Sequence, residues 1–362
     1  MEAQMSTVRF LPANRMTPGG FENLLKPFTP ISPLESRELI AVKFHPGEEG
    51  NSSFVSPAMM KMVIDSLKLP FRRTYMTDTT VLYGGRRMTA PDYTILAGEH
   101  GFGMPDFPPF IVADGLTGTE EYRIELPELC TTRVARVAGA LSRTGKAVVV
   151  SHFKGHLLAG FGGAVKHLGM GWASKAGKLY QHSTVTPSVK EKKCIACGDC
   201  IQVCGSDAIA MHQSSALISR EQCTGCGECL QACPVQAIGI RWDQEADTFM
   251  RRMTEYALGA SMAVDIPLYV NFVTKVSPDC DCMKNEGPPM VNDIGVAVSS
   301  DPVALDQACL NMVTAAEPIG DNAPAGRDKF RHKRPERNGE LQLEIGEAIG
   351  LGSREFKLTE VT

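Results

Sequence analysis

Residues 194–238 constrain this 362-residue chain more than any other stretch, because they hold eight of its twelve cysteines in two runs of one spacing. The runs are CIACGDCIQVC (Cys194, Cys197, Cys200, Cys204) and CTGCGECLQACP (Cys223, Cys226, Cys229, Cys233, then Pro234). Each cysteine of the second lies 29 positions after its counterpart, and Ala208-Ile209 recurs as Ala237-Ile238, so the segment is an internal repeat. The pattern CxxCxxCxxxC suits a cubane iron–sulfur cluster: three thiolates on a tight loop take three corners, and the fourth must come from elsewhere. Structural zinc closes with four ligands and does not call for this spacing twice. Disulfides need an oxidising compartment. Two 4Fe-4S clusters are therefore expected.

The repeat resembles the two-cluster bacterial ferredoxins. That resemblance implies ligand exchange between the runs, with Cys194, Cys197 and Cys200 taking Cys233 as fourth ligand, and Cys223, Cys226 and Cys229 taking Cys204. Cys204 is followed by Gly205 where the ferredoxin pattern has proline, but the ligand sulfur is intact.

The remaining composition is that of an ordinary globular protein, 43% hydrophobic and 22% charged, with a formal net charge of -4. Bound thiolates would add negative charge, which argues against wholesale nucleic-acid binding. The first twenty residues lack an apolar core of signal-peptide length, and no apolar run approaches the ~20 residues of a membrane helix. A cytoplasmic location without membrane attachment is expected.

Outside the cysteine segment, strands alternate with helices. After an irregular, proline-containing start, Leu39–Val42 is an uninterrupted apolar run suited to a strand buried on both faces. Ser56-Pro57 reads as an N-cap and first turn, and Met60, Val63, Ile64 and Leu67 follow at helical spacing. Further strands are expected near Thr74–Met76, Pro109–Ala113, Lys146–Val150, Leu268–Val273 and Ile294–Val298, with helices over 243–263 and after Asp301-Pro302. Cys309 falls on the apolar stripe of that last helix, and it and the isolated Cys130 read as small buried hydrophobes. The pattern predicts an α/β fold, a mostly parallel sheet flanked by helices, interrupted by a small α+β ferredoxin-like two-cluster insert. Residues 1–187 and 243–362 would form the α/β domain and 188–242 the insert.

Several apolar runs end in residues capable of chemistry: Lys43 and His45, Asp78, Asp114, Ser151 and His152, and Cys280 and Cys282 beyond Leu268–Val273. In a parallel sheet these collect at one edge, where open α/β sheets bind ligands. The segment Ser151–His182 carries His152 and His156 four apart, five glycines between Gly155 and Gly169, and Lys166 beside His167. Glycines with a helix starting near Gly163 suggest an anion cradle, but neither a Walker A nor a GxGxxG fingerprint is present, so ATP and NAD find no support. The CxC pair Cys280/Cys282 could share a metal with His152 and His156, or form an easily reduced disulfide.

The stretches AVKFHPGEEGN, TDTTVLYGGRR, VADGLTG, SHFKGHLLAGFGGAVKHLGMG, PDCDC and DIGVAVSSDPVALDQA, with IGEAIGLGSREFKL near the end, resemble the "domain of unknown function 362" family of iron–sulfur centre proteins. Many members of that family carry a ferredoxin-type insert at this place. The resemblance implies the domain plan and the cluster ligands without implying an activity. The functional expectation is an oxidoreductase in which two clusters relay single electrons to a site built around His152, His156, Lys166, Cys280 and Cys282, acting on a small molecule. Its rivals are an electron carrier with no active site and a metal-binding chaperone or sensor. The segment Gly326–Arg337, with six Lys or Arg against two acids, is a candidate dock for an acidic redox partner such as a small ferredoxin.

Overall fold

The structure, a computed structural model, describes residues 5–29, 31, 38–182, 186–240 and 245–362. Its beginning is more regular than the proline content suggests. Ser6–Pro12 is a strand, β1, and Pro18–Leu25 a helix, α1, because Thr17 accepts from Gly20 N and Pro18 fills the first turn, where no amide is needed. Then come β2 (Leu39–Lys43), α2 (Pro57–Leu67), β3 (Thr74–Asp78), α3 (Ala90–Glu99) and β4 (Phe110–Val112). Ser56 caps α2 by accepting from Met59 N, and Met60, Val63, Ile64 and Leu67 are all buried, as their spacing predicts.

A hairpin of β5 (Glu121–Glu125) and β6 (Val134–Ala138) precedes the long strand β7 (Thr144–His152). Beyond it lie a short pair, β8 (Lys154–His156) and β9 (Gly160–Gly162), and the helices α4 (Ala164–Gly169) and α5 (Lys175–His182). The cysteine-rich segment contributes β10 (Ser188–Val189), α6 (Asp199–Gln202), β11 (Ile209–His212), β12 (Ser215–Ile218), α7 (Glu228–Ala232) and β13 (Ile238–Gly239). The chain closes with α8 (Ala246–Ala263), β14 (Asp265–Val273), β15 (Gly295–Ser299), α9 (Pro302–Ala315), α10 (Lys329–Lys333), α11 (Leu341–Ala348) and β16 (Phe356–Glu360). Residues 241–244 are outside the described residues, and the expected boundary at 242 falls among them.

Eight strands form one sheet in the order β16-β1-β15-β14-β7-β2-β3-β4. From β14 to β4 every pairing is parallel, whereas β15 runs antiparallel to both β14 and β1. The sheet is thus an α/β sheet, mostly parallel, with an antiparallel flank. Alternate residues of each strand face opposite layers. Ile40, Val42, Val148 and Val150 pack with α1 and α2, while Ala41, Ala147 and Val149 face a core built on α4, α8, α9 and α11. Each large apolar side chain so buried contributes about 1.5–3 kcal/mol. Among the described residues no helix is long and apolar enough to cross a membrane.

The layer that carries α4 and α8 is unusually close-packed. A Cβ on Gly169 would lie 1.9 Å from the Met253 carbonyl oxygen, so only glycine lets α4 meet α8 at this distance. Gly169→Ala should therefore lower the free energy of unfolding by about 1–3 kcal/mol through overpacking. Gly98→Ala, in α3 with nothing within 4 Å, should raise it by about 0.5–1 kcal/mol. Urea unfolding midpoints of the two variants check this, and an undisturbed Gly169→Ala protein would refute the close-packing account.

Candidate functional site

The repeat in the cysteine segment is a repeat of backbone as well as of sequence. Residues 196, 198 and 207 have positive φ (Ala196, Gly198, Asp207), and so do Gly225, Gly227 and Gln236, each 29 positions later. Gly198 and Gly227 precede α6 and α7, which carry Cys200 and Cys229 into the interior. The amides of Ala208 and Ala237 donate to the sulfurs of Cys204 (3.3 Å) and Cys233 (3.1 Å). Two small cavities result. One is lined by Cys194, Cys197, Cys200 and Cys233, and the other by Cys204, Cys223, Cys226 and Cys229, each with a free volume of about 20 Å³. Each takes three cysteines from one run and one from the other.

The rest of both linings is largely apolar. Burial, then the neighbouring Cys226 and Cys223, push the Cys229 thiol up to about 12, and burial followed by Cys197, Cys194 and Cys233 raises Cys200. Among the described residues no group of three or more His, Cys, Asp or Glu closes on a single ion. The donor set of each quartet, three sulfurs from one run and one from the other, is the one a cubane cluster would take.

The cysteine segment is seated on the α/β layers. Leu82, beyond β3, and Leu179, on α5, pack into one cluster with Cys200, Cys229, Leu230 and Ile238. Lys175 Nζ donates to Gln231 Oε1 at 3.0 Å and Arg136 Nη1 to the Thr224 carbonyl at 3.1 Å.

Leu82 also lines a third and much larger cavity, of about 1540 Å³ including its open mouth, at the C-terminal ends of the parallel strands. Lys43, His45 and Asp78 stand there as the strand-end reading predicts. Lys43 Nζ lies 2.8 Å from Asp78 Oδ1 and donates to His167 Nε2 at 3.2 Å, while His45 Nδ1 lies 3.1 Å from Asp78 Oδ2. Although burial disfavours its charge, Lys43 and His45 hold Asp78 well below the ordinary carboxylate range. Arg87 Nε and Nη2 both donate to the buried Glu48 Oε2, at 3.0 and 2.9 Å. Burial also keeps His156 and His167 neutral and lowers His182 to about 3.

The CxC turn forms the opposite wall. Lys166 Nζ lies 3.2 Å from Cys280 Sγ, and the Cys282 amide reaches the same sulfur at 3.5 Å. The hydrogen bond from Cys282 holds the Cys280 thiol well below its usual value despite burial, helped by Lys166, and pushes Cys282 up in turn. Asp281 Oδ1 lies 3.4 Å from Cys280 Sγ and 3.3 Å from Lys154 Nζ, and its Oδ2 lies 3.1 Å from His152 Nδ1. The other nitrogen of His152 faces the Thr274 carbonyl at 2.8 Å. Of the five residues expected at the site, His156, Lys166, Cys280 and Cys282 therefore line the cavity, and His152 is engaged behind it through Asp281. The ring of His156 accepts from the Ala159 amide at 3.0 Å through Nδ1, so the two histidines do not converge on the sulfurs.

The glycine-rich run does not form the expected anion cradle. The first amides of α4, at Ala164 and Val165, donate to the Asp306 carboxylate at 2.7 and 2.9 Å, so an internal side chain occupies that helix terminus. Gly163 admits it, since a Cβ there would sit 2.2 Å from Asp306 Oδ1. Asp114 and Ser151 are also withdrawn from the cavity, Asp114 by holding the Thr80 amide and hydroxyl. Cys130 and Cys309 are buried, as expected of small apolar fillers. In the basic segment, Lys329, Lys333, Arg334 and Arg337 donate to backbone carbonyls of Thr314, Asp321, Pro278 and Leu157, so four of its six cations brace neighbouring loops.

Sequence reasoning missed Arg87, Lys154, His167 and Lys178 in the cavity wall. The TDTTVLYGGRR stretch and the HxxxxxxxxxxH spacing around α4 offered no charge partner by which to single them out. Lys178 is notable because it donates to Thr79 Oγ1, the Thr80 carbonyl (2.6 Å) and the Ala173 carbonyl (3.0 Å), with no carboxylate in contact.

These features define a class: an open α/β protein with a strand-edge cavity and a seated repeat of two four-cysteine chambers. Residues 40–311 match the family model described as Domain of unknown function (DUF362), and the chain belongs to that family. Among solved structures, the lactate racemase apoprotein from Thermoanaerobacterium thermosaccharolyticum is similar at 12% identity and a TM-score of 0.41, over 99% of this chain and 83% of that one. A protein from Thermotoga maritima matches at 11% identity and a TM-score of 0.38, over 81% of this chain and 58% of its own. No curated protein matches the sequence.

Burial, only partly offset by Asp114 and Asp78, lowers Lys178 to about 8. Reductive methylation of Lys178, followed by peptide mass analysis across pH, should show a midpoint near that value, against about 10.4 for surface lysines. The linkage sign follows: between about 8 and 10.4 the unfolded chain binds more protons, so this residue makes stability rise with pH across that window. A Lys178 midpoint indistinguishable from that of surface lysines would contradict the burial.

Proposed function

We propose that this protein is an iron–sulfur oxidoreductase in which two 4Fe-4S clusters relay single electrons to the strand-edge cavity. The observation that carries the reading is the composition of the two cysteine chambers, three sulfurs from one run and one from the other, seated on the cavity wall through Leu82. Cys194, Cys197, Cys200 and Cys233 would hold one cluster, and Cys204, Cys223, Cys226 and Cys229 the other, in a segment of ferredoxin type. The clusters supply one-electron transfer when bound. This chain's own residues would exclude water and place ammonium groups and a thiolate around a small molecule. A carrier with no site of its own has no evident use for a large cavity walled by Lys43, Lys154, Lys166 and Lys178.

Electrons would enter beside Cys223. A surface groove there is lined by Arg133, Arg136 and Arg220 with Tyr180 and Tyr256, and among the described residues no acidic side chain lines it. That complements an acidic one-electron carrier protein better than the loop-bracing segment 326–337.

Anaerobically prepared protein should contain about eight iron and eight sulfide per chain, and Cys233→Ser and Cys204→Ser should each impair a different cluster by EPR of the reduced form. Zinc in place of iron, or one shared defect from both variants, would overturn the reading. Arg133→Glu with Arg220→Glu should slow reduction by an acidic ferredoxin about tenfold or more at low salt, with the difference shrinking as salt rises and dithionite reduction unaffected.

A further inference from the structure

We propose that Cys280 and Cys282 are a redox-active dithiol–disulfide couple in the strand-edge cavity, storing two electrons delivered singly and exchanging them with a small-molecule disulfide. The proposal rests on the relay reading above for the source of its electrons, and on separate geometry for the couple itself.

Four observations carry it. The two cysteines are two residues apart in one turn, the Cys282 amide reaches Cys280 Sγ at 3.5 Å, and both line the cavity. Lys166 Nζ at 3.2 Å compensates a thiolate on Cys280, the arrangement that makes a cysteine reactive. Gly162 lets it do so, since a Cβ there would lie 2.7 Å from Lys166 Cδ. The turn is also fixed from behind: Gly155 N donates to the Ser277 carbonyl at 2.8 Å, and Arg334 holds the Pro278 carbonyl at 2.9 Å together with Asp279. A metal shared with histidines is less well served, because both His152 nitrogens face Asp281 and Thr274.

The chemistry balances. The Cys280 thiolate attacks one sulfur of a disulfide RSSR, forming a mixed disulfide and releasing RS⁻. The Cys282 thiol gives up its proton, which leaves with RS⁻ as RSH, and its sulfur attacks Cys280 Sγ, releasing the second RS⁻. The Cys280–Cys282 disulfide then takes two electrons and one proton to restore one thiolate and one thiol. The electrons come from a reduced one-electron carrier protein, or from dithionite in the assay.

The test uses the whole chain, prepared anaerobically and treated with bis(2-hydroxyethyl) disulfide. Alkylation and peptide mass analysis should find Cys280 and Cys282 joined, and the oxidised protein should take up two more electrons in a dithionite titration than Cys280→Ser/Cys282→Ser with the same iron content. Lys166→Met should slow alkylation of Cys280 at neutral pH about tenfold and move its pH profile upward, while Lys166→Arg should preserve both. Two free thiols after oxidation, or equal electron uptake by the double variant, would overturn the couple while leaving iron content and EPR to judge the relay. A couple that forms normally but is reduced equally fast in Cys226→Ser would support the couple and remove the relay.

Discussion

The approach of Gly155 to the 277–278 backbone is the constraint on which the site depends. Its amide bonds to the Ser277 carbonyl, and a Cβ would lie 1.9 Å from the carbonyl oxygen of Pro278. No other residue type permits that contact without moving one chain. It joins the segment that follows β7 to the segment that follows β14, two parallel neighbours in the sheet, at the point where both leave it. Lys154, Lys166 and the CxC turn are brought together by this junction, although more than a hundred residues separate them. Glycine here is a condition of assembly, not a source of flexibility.

Around that junction the protein buries more charge than a stability argument alone would favour. Lys43 with Asp78, Arg87 with Glu48, and Lys154 with Asp281 are ion pairs largely withdrawn from solvent. Such pairs are roughly neutral for stability when intact, and removing one partner costs about 3–5 kcal/mol because the other is left unpaired. What they do provide is a cavity wall whose cations cannot wander. Lys178 differs, since its ammonium meets only neutral acceptors, and Lys166 differs because its counter-charge is a sulfur that can react. Those two lysines are where the electrostatics leave something for a ligand or a reaction to change.

Much of this was legible in the chain. The apolar run at Leu39–Val42 became β2 because an uninterrupted β-branched and aliphatic stretch suits a two-faced parallel strand, and Ser56-Pro57 and Asp301-Pro302 capped helices as their chemistry dictates. The gathering of Lys43, His45, Asp78 and the CxC pair follows from parallel topology alone. Other features were hidden because they depend on partners distant in sequence. Asp306 sits on α9 with no local sign that it closes the start of α4, so the glycines read as an anion cradle. The antiparallel direction of β15 depends on β1, whose strand character the prolines obscured. Arg87 and Glu48 gain meaning only from each other.

The placement of Leu82 ties the two halves of the molecule. It is one of the few side chains that belongs at once to the apolar cluster around Cys200 and Cys229 and to the wall of the strand-edge cavity. Gln236 reinforces the seat, because Gly84, two residues beyond Leu82, leaves no room for a Cβ against its amide. The repeat thus docks through an apolar contact at Leu82 and Leu179 together with the polar contacts of Lys175 and Arg136, and Leu82 also shapes the cavity. Under the proposed relay, Leu82 would mark the place where charge passes between the chambers and the strand ends.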